Sequence, residues 1–176
     1  PTTMSVAKAV SSAYLPLSAV IIPEFMYEPF IEQSAEVGNF GHGFTYSGHP
    51  VCAAVALRNL ELMEERDIFA HAASVGEVFQ ERLREFGEHP LVGDVRGVGL
   101  LGAVEMVADK DSKAMFEPTK GVGAYCTSRC EAHGLLLRNL GDSMAFCPPL
   151  VITEDQVDEL LSKFQLALDE TLNWAV

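Results

Sequence analysis

Hydrophobic positions along the chain change period several times, and each change marks an element. Residues 4 to 22 are apolar-rich but interrupted by Lys8, the Ser11-Ser12 pair and Pro16, which suits two short buried strands joined by a tight loop. Gly38, Gly41, Gly43 and Gly48 make residues 38 to 49 a loop. Pro50 then stands where a helix begins, because its missing N–H costs nothing at the first helical position. That helix is expected to run to about Glu65, with Val51, Val55, Leu60 and Leu62 among small alanines. Asp67 is expected to cap the next helix, whose stripe is Ile68, Ala72, Val75, Phe79, Leu83 and Phe86, with Gly87 as a left-handed stop. From Val92 to Val107 the pattern turns Val- and Gly-rich, as in paired strands. A helix from about Val122 to His133 ends at Gly134, and Leu135–Arg138 and Met144–Cys147 read as strands around a Gly141-Asp142 turn. Thr153 and Gln156 have the spacing of a capping box, and Val157, Leu160, Leu161, Phe164, Leu168 and Leu172 then share one helix face.

The expectation is a strand-rich start, two helices, and an α+β module. The N-terminal piece is too short to bury its own strands and should lean on sheet material that the chain does not contain. Composition narrows the class. The chain has 176 residues, 48% hydrophobic and 9% aromatic, so it can bury a core. A net charge of −13 argues against nucleic acid as a partner. No apolar run approaches the ~20 residues of a membrane span, and the Tyr14–Ile22 stretch lacks the flanks of a signal peptide. The spacing of Cys52, Cys126, Cys130 and Cys147 is not that of a disulfide scaffold, so a reducing cytoplasm is the expected location. Pro1 in place of an initiator Met suggests a fragment or a processed product.

Three features invite chemistry. Lys8 lies in Val6-Ala7-Lys8-Ala9-Val10, where burying an ammonium is costly unless it is paired or its pKa falls. It is either a lysine snorkelling to solvent or one used for carbonyl chemistry. Arg138 follows Leu135, Leu136 and Leu137, and its planar fork suits a carboxylate, whether a substrate's or that of an acid such as Asp142. Cys126, Cys130 and His133 share a helix face, but no fourth ligand is near, so no metal site is expected. Arg96 reads as structural, His42 and His49 as satisfied loop histidines, and Tyr14 as a neighbour of the Lys8 region rather than a catalytic group.

Longer words decide between these readings. Ala7-Lys8-Ala9-Val10-Ser11-Ser12-Ala13-Tyr14-Leu15-Pro16-Leu17-Ser18-Ala19-Val20 closely resembles the cofactor-lysine segment of class III aminotransferases. Gly41-His42-Gly43-Phe44-Thr45-Tyr46-Ser47-Gly48-His49-Pro50 looks like the phosphate loop of the same family, in its pyruvate-dependent ω-transaminase branch. Asp94-Val95-Arg96-Gly97-Val98-Gly99, Leu137-Arg138 and Pro148-Pro149-Leu150 continue the likeness in order.

The resemblance implies an α/β fold, the fold type I of pyridoxal-phosphate-dependent transferases. Residues 1–57 would be the end of the large cofactor-binding domain and 58–176 the small C-terminal α+β domain. It implies that Lys8 holds pyridoxal 5'-phosphate covalently and then moves a proton between substrate and cofactor carbons. Thr45, with the backbone N–H of Phe44 or of Thr45 itself, would bind the cofactor phosphate, and Arg138 would bind the carboxylate of the keto or amino acid. The Thr45 loop would reach the neighbouring subunit's site, implying a homodimer acting on small amines and keto acids. The family's Gly-Ser loop, ring-stacking aromatic residue and pyridine-nitrogen aspartate would precede Lys8, so this chain alone is expected to be inactive. Other readings stay open: another amino donor, an aminomutase-like relative, or a non-catalytic remnant that only dimerises.

Overall fold

The computed structural model describes residues 1–175, which divide into two compact units, Pro1–Asp67 and residues 68–175. The expected boundary at 57/58 falls inside a helix of the first unit.

In the first unit, β1 (Met4–Ala7) pairs antiparallel with β2 (Ser18–Ile21), Met4 opposite Ile21 and Ala7 opposite Ser18. Helix α1 spans Glu24–Val37 and α2 spans Pro50–Glu65. As Pro50 predicts, it opens α2, and His49 Nδ1 accepts a hydrogen bond from the Val51 N–H at 3.3 Å. The two strands are exposed, as expected of a piece too short to bury its own apolar strands. Only Ser11, Cys52 and Ala56 are buried in this unit, and Val20, Ile21, Phe25, Tyr27, Phe30 and Ile31 all face outward. Two strands and two helices contain too little apolar surface to enclose one another. Nor is their connection a tight loop: it runs through a 3-10 turn at Lys8–Ser11 and on to Leu17.

In the second unit, α3 (Ile68–Glu85), β3 (Val92–Val98), β4 (Leu101–Met106), α4 (Val122–Ala132), β5 (Arg138–Leu140), β6 (Ser143–Phe146) and α5 (Glu154–Ala175) build an α+β module. The sheet is antiparallel throughout, in the order β3-β4-β6-β5. Alternation along β4 and β6 turns Val104, Met106, Met144 and Phe146 to one face, all 0–1% exposed. There they meet Phe79 of α3 and Phe164 of α5, whose rings lie 6.1 and 5.0 Å from that of Phe146. Each such phenylalanine stabilises the fold by roughly 1.5–3 kcal/mol through burial. Small residues let the layers approach. A Cβ on Gly102 would lie 2.4 Å from a Leu83 methyl, and one on Gly123 would lie 1.9 Å from the Gly141 carbonyl oxygen.

Helix ends follow local chemistry. The capping box forms: the Gln156 N–H donates to Thr153 Oγ1 at 3.3 Å and the Thr153 N–H to Gln156 Oε1 at 3.0 Å. Gly134 takes φ +74° after α4, as a left-handed stop should. Gly87 does not, because α3 tightens into a 3-10 turn at Phe86–Glu88 instead. Asp67 sits at φ +49°, itself in the left-handed region before α3.

Candidate active site

Lys8 follows the end of β1 at Ala7 and opens the 3-10 turn. It is exposed, not buried within a strand, and its backbone lies at φ +54°. Ser12 and Ala13 follow at φ +48° and +59°. Three non-glycine residues in this region within six positions form a strained turn, at about 1–3 kcal/mol each. Several hydrogen bonds hold it: the Ala13 N–H donates to the Lys8 carbonyl (3.2 Å), the Tyr14 N–H to the Ser11 carbonyl (3.0 Å), and buried Ser11 Oγ to the Leu15 carbonyl (2.6 Å). Lys8 borders an open cleft of about 600 Å³ lined by Ala7, Ala13, Tyr14 and Leu15–Ser18. Among the described residues, its ammonium has no ion-pair partner.

The Gly-rich loop makes a compact turn in which the Phe44 N–H donates to Ser47 Oγ (2.9 Å) and the Ser47 N–H to the Phe44 carbonyl (2.9 Å). One expected phosphate donor, the Phe44 N–H, is therefore already engaged, and the Ser47 hydroxyl would have to release it. Among the described residues, the Thr45 N–H and hydroxyl have no hydrogen-bond partner. His42 packs between the Phe40 and Phe44 rings, at 5.7 and 6.3 Å. Phe44, Tyr46, Ser47, Gly48 and His49 line a second cleft of about 600 Å³ that shares Leu15–Ser18 with the first, and Lys8 does not reach it. The donor set suits pyridoxal phosphate. A primary amine with no competing carboxylate can hold its carbonyl carbon, and an unengaged hydroxyl and N–H in an open loop can hold its phosphate.

Arg138 lies on the sheet face away from the helices. It pairs with Ala145, Ala145 with Ala103, and Ala103 with Arg96, so the two arginines share one cross-strand row. Their surroundings differ. Arg96 bonds Asp94 at 2.7 Å and Glu105 at 3.0 Å, the local pairing expected of it. Arg138 is exposed and has no ion-pair partner among the described residues. The candidate acid, Asp142, faces elsewhere and accepts the Gly123 N–H at 2.9 Å. Arg138 borders an apolar cleft of about 450 Å³ with Leu136, Leu137, Cys147, Pro148 and Leu160.

Cys126 and Cys130 are fully buried core residues of α4. Close approach to the Cys126 sulfur, together with burial, pushes the Cys130 thiol well above its ordinary value. His133 turns away from them, with Nε2 3.0 Å from Glu170. Two positions escaped the sequence reading: Ser47, and Asn59 of α2, whose side chain bonds the Lys8 turn. The available signal for Asn59 was an amide of poor helix propensity on the same helix face as Cys52 and Ala56.

Sequence comparison places these features in one class. The model of the aminotransferase class-III family matches residues 1–168, and the chain belongs to that family, whose members depend on pyridoxal phosphate. The tomato (Solanum lycopersicum) gamma aminobutyrate transaminase 3 is 42% identical over 98% of this chain and 33% of its own length. The Pseudomonas aeruginosa putrescine–pyruvate aminotransferase is 41% identical over 97% and 37%. The solved ω-transaminase from Pseudomonas jessenii, in complex with PMP, superposes with a TM-score of 0.95 at 43% identity, over 99% of this chain and 39% of that one. The chain thus spans about a third of the length of the curated relatives it matches. The α/β, fold type I expectation agrees with these neighbours.

Proposed function

We propose that the protein transfers an amino group from an amine or ω-amino acid to pyruvate or a similar keto acid, with pyridoxal phosphate held by Lys8. The carrying observation is Lys8 itself: a lysine with no paired acid, fixed at a strained strand end beside an open cleft. Bound there, pyridoxal phosphate would supply the electron sink that makes the substrate's amine-bearing carbon acidic. Lys8 Nζ anchors the cofactor. Once free of the cofactor, Nζ would take the proton from that carbon and deliver it to the cofactor carbon that had carried the amine linkage, with the reverse transfer when the keto acid is aminated. Thr45, through its hydroxyl and N–H, holds the phosphate, joined by the Phe44 N–H if Ser47 lets it go. Arg138 receives the carboxylate of the keto acid with its guanidinium fork, and swings aside for an apolar amine.

The likeness of the exposed Gly-rich loop to the family's phosphate loop favours a homodimer in which that loop serves the neighbouring site. The four free cysteines favour a reducing compartment, with the cytoplasm the simplest. The names of the plant relatives specify chloroplast or mitochondrion, so family membership does not carry that placement. No helix among the described residues is long and apolar enough to cross a membrane.

The test is alanine formation from pyruvate and an amine donor by the intact protein, alongside Lys8→Ala. Activity should fall to background in the variant. Full turnover without Lys8 would rule out the assignment.

A further inference from the structure

The turn that carries Lys8 is held from within by three backbone bonds and the Ser11 hydroxyl, yet three of its residues sit in a region of φ that L side chains avoid, and the strands beside it are exposed. A strained loop persists only where its surroundings over-determine it. The surrounding element is α2. Cys52 (9% exposed) and Ala56 (5%) are small, and lie with Asn59 along one face of the helix. From the end of that face, Asn59 Nδ2 donates to the Ala9 carbonyl at 2.9 Å and to the Val10 carbonyl at 3.0 Å. Its Oδ1 accepts from Ser12 Oγ at 2.8 Å. The orientation is chemically determined: carbonyls only accept, so the amide nitrogen must face them, leaving the oxygen for the hydroxyl. One side chain thus engages the turn at three points, Ala9, Val10 and Ser12, immediately after Lys8 and just before Ala13.

We propose that Asn59 is a positioning residue for Lys8. Its amide clamps the left-handed turn so that the lysine leaves β1 in one direction, and this rests on the reading of Lys8 as the cofactor lysine. Asparagine is suited to the task because it presents two donors and an acceptor in one plane. An aspartate in its place would keep the volume and the Ser12 contact, but would set a carboxylate against two carbonyl oxygens.

Asn59→Asp in the intact protein tests this, with Arg58→Ala as control, since Arg58 is exposed and among the described residues pairs with Glu61 and Glu65 of its own helix. Without cofactor, the peptide containing Ala13 and Tyr14 should exchange its amide hydrogens about tenfold faster or more in N59D, and at the normal rate in R58A. With cofactor, N59D should lower kcat by roughly ten- to a hundredfold while the donor KM moves by less than about threefold, since misplacing a catalytic group slows chemistry more than binding. Borohydride should still attach the cofactor to Lys8 in N59D. If N59D does not fold, Ser12→Ala removes one arm of the clamp and should shift exchange and kcat in the same directions by smaller factors. Unchanged exchange and kcat, with Lys8 still labelled, would overturn the role of Asn59 alone. Absence of label from Lys8 in the unaltered protein would overturn the reading of Lys8, and this proposal with it.

Discussion

Arg138→Ala separates a substrate-binding arginine from a structural one. The two arginines of the cross-strand row make the contrast. Arg96 has two carboxylates within 3.0 Å, whereas Arg138 stands over Ala145 with no acid, and Asp142 is turned to the start of α4. Truncating Arg138 therefore removes no described ion pair, and stability should change by no more than about 0.5 kcal/mol, as at an ordinary surface site. The effect on substrate should be much larger. A charge-assisted contact contributes about 1.5–3 kcal/mol, and about 1.4 kcal/mol is tenfold. The kcat/KM for pyruvate should fall roughly ten- to a hundredfold, while that for an uncharged aldehyde of similar size changes by less than about threefold. Steady-state kinetics on both acceptors, with a thermal melt of the same preparation, provide the measurement. Equal losses on the two acceptors, or a drop of several degrees in Tm, would refute the reasoning.

Two predictions concern the second unit. Thr153→Ala removes the hydroxyl that accepts the Gln156 N–H at the head of α5, and should lower stability by about 1 kcal/mol in denaturant unfolding; an unchanged midpoint would mean that the capping box is idle. Glu170 accepts from Arg129 and lies 3.0 Å from His133 Nε2, and these bonds, Arg129's first, hold its carboxyl below the ordinary 4.5. A lowered folded pKa gives stability that is complete above the unfolded value and is lost as pH falls through the folded one. Glu170→Gln should therefore be less stable than the parent at neutral pH, with the gap closing as pH drops below about 4.5; a gap independent of pH would exclude the mechanism.

What was legible in the sequence depended on where each element finds its partners. In the second unit, α5 was legible from Thr153 to Leu172 because its capping box is local and its apolar face packs on residues of the same chain. The β3–β4 and β5–β6 pairs were legible for the same reason, with ends shifted by a few residues. Gly87 misled because a glycine signals permission for positive φ, not its use, and a 3-10 turn ended the helix first. Helix α1 went unread: Phe25, Tyr27, Phe30 and Ile31 form no clean stripe, Pro29 lies inside it, and none of its residues is buried here. Lys8 was legible through its neighbours as a word, not through burial, because it is exposed at a strand end. Asn59 was invisible because its three bonds cross some fifty residues of sequence.

Everything proposed about chemistry rests on one bond from one lysine. The most direct measurement is borohydride reduction of the intact protein with pyridoxal phosphate, followed by proteolysis and mass mapping. The absorbance of the bound cofactor should be lost on reduction, and a single stoichiometric label should sit on Lys8. A label on any other lysine, or none at all, would contradict it.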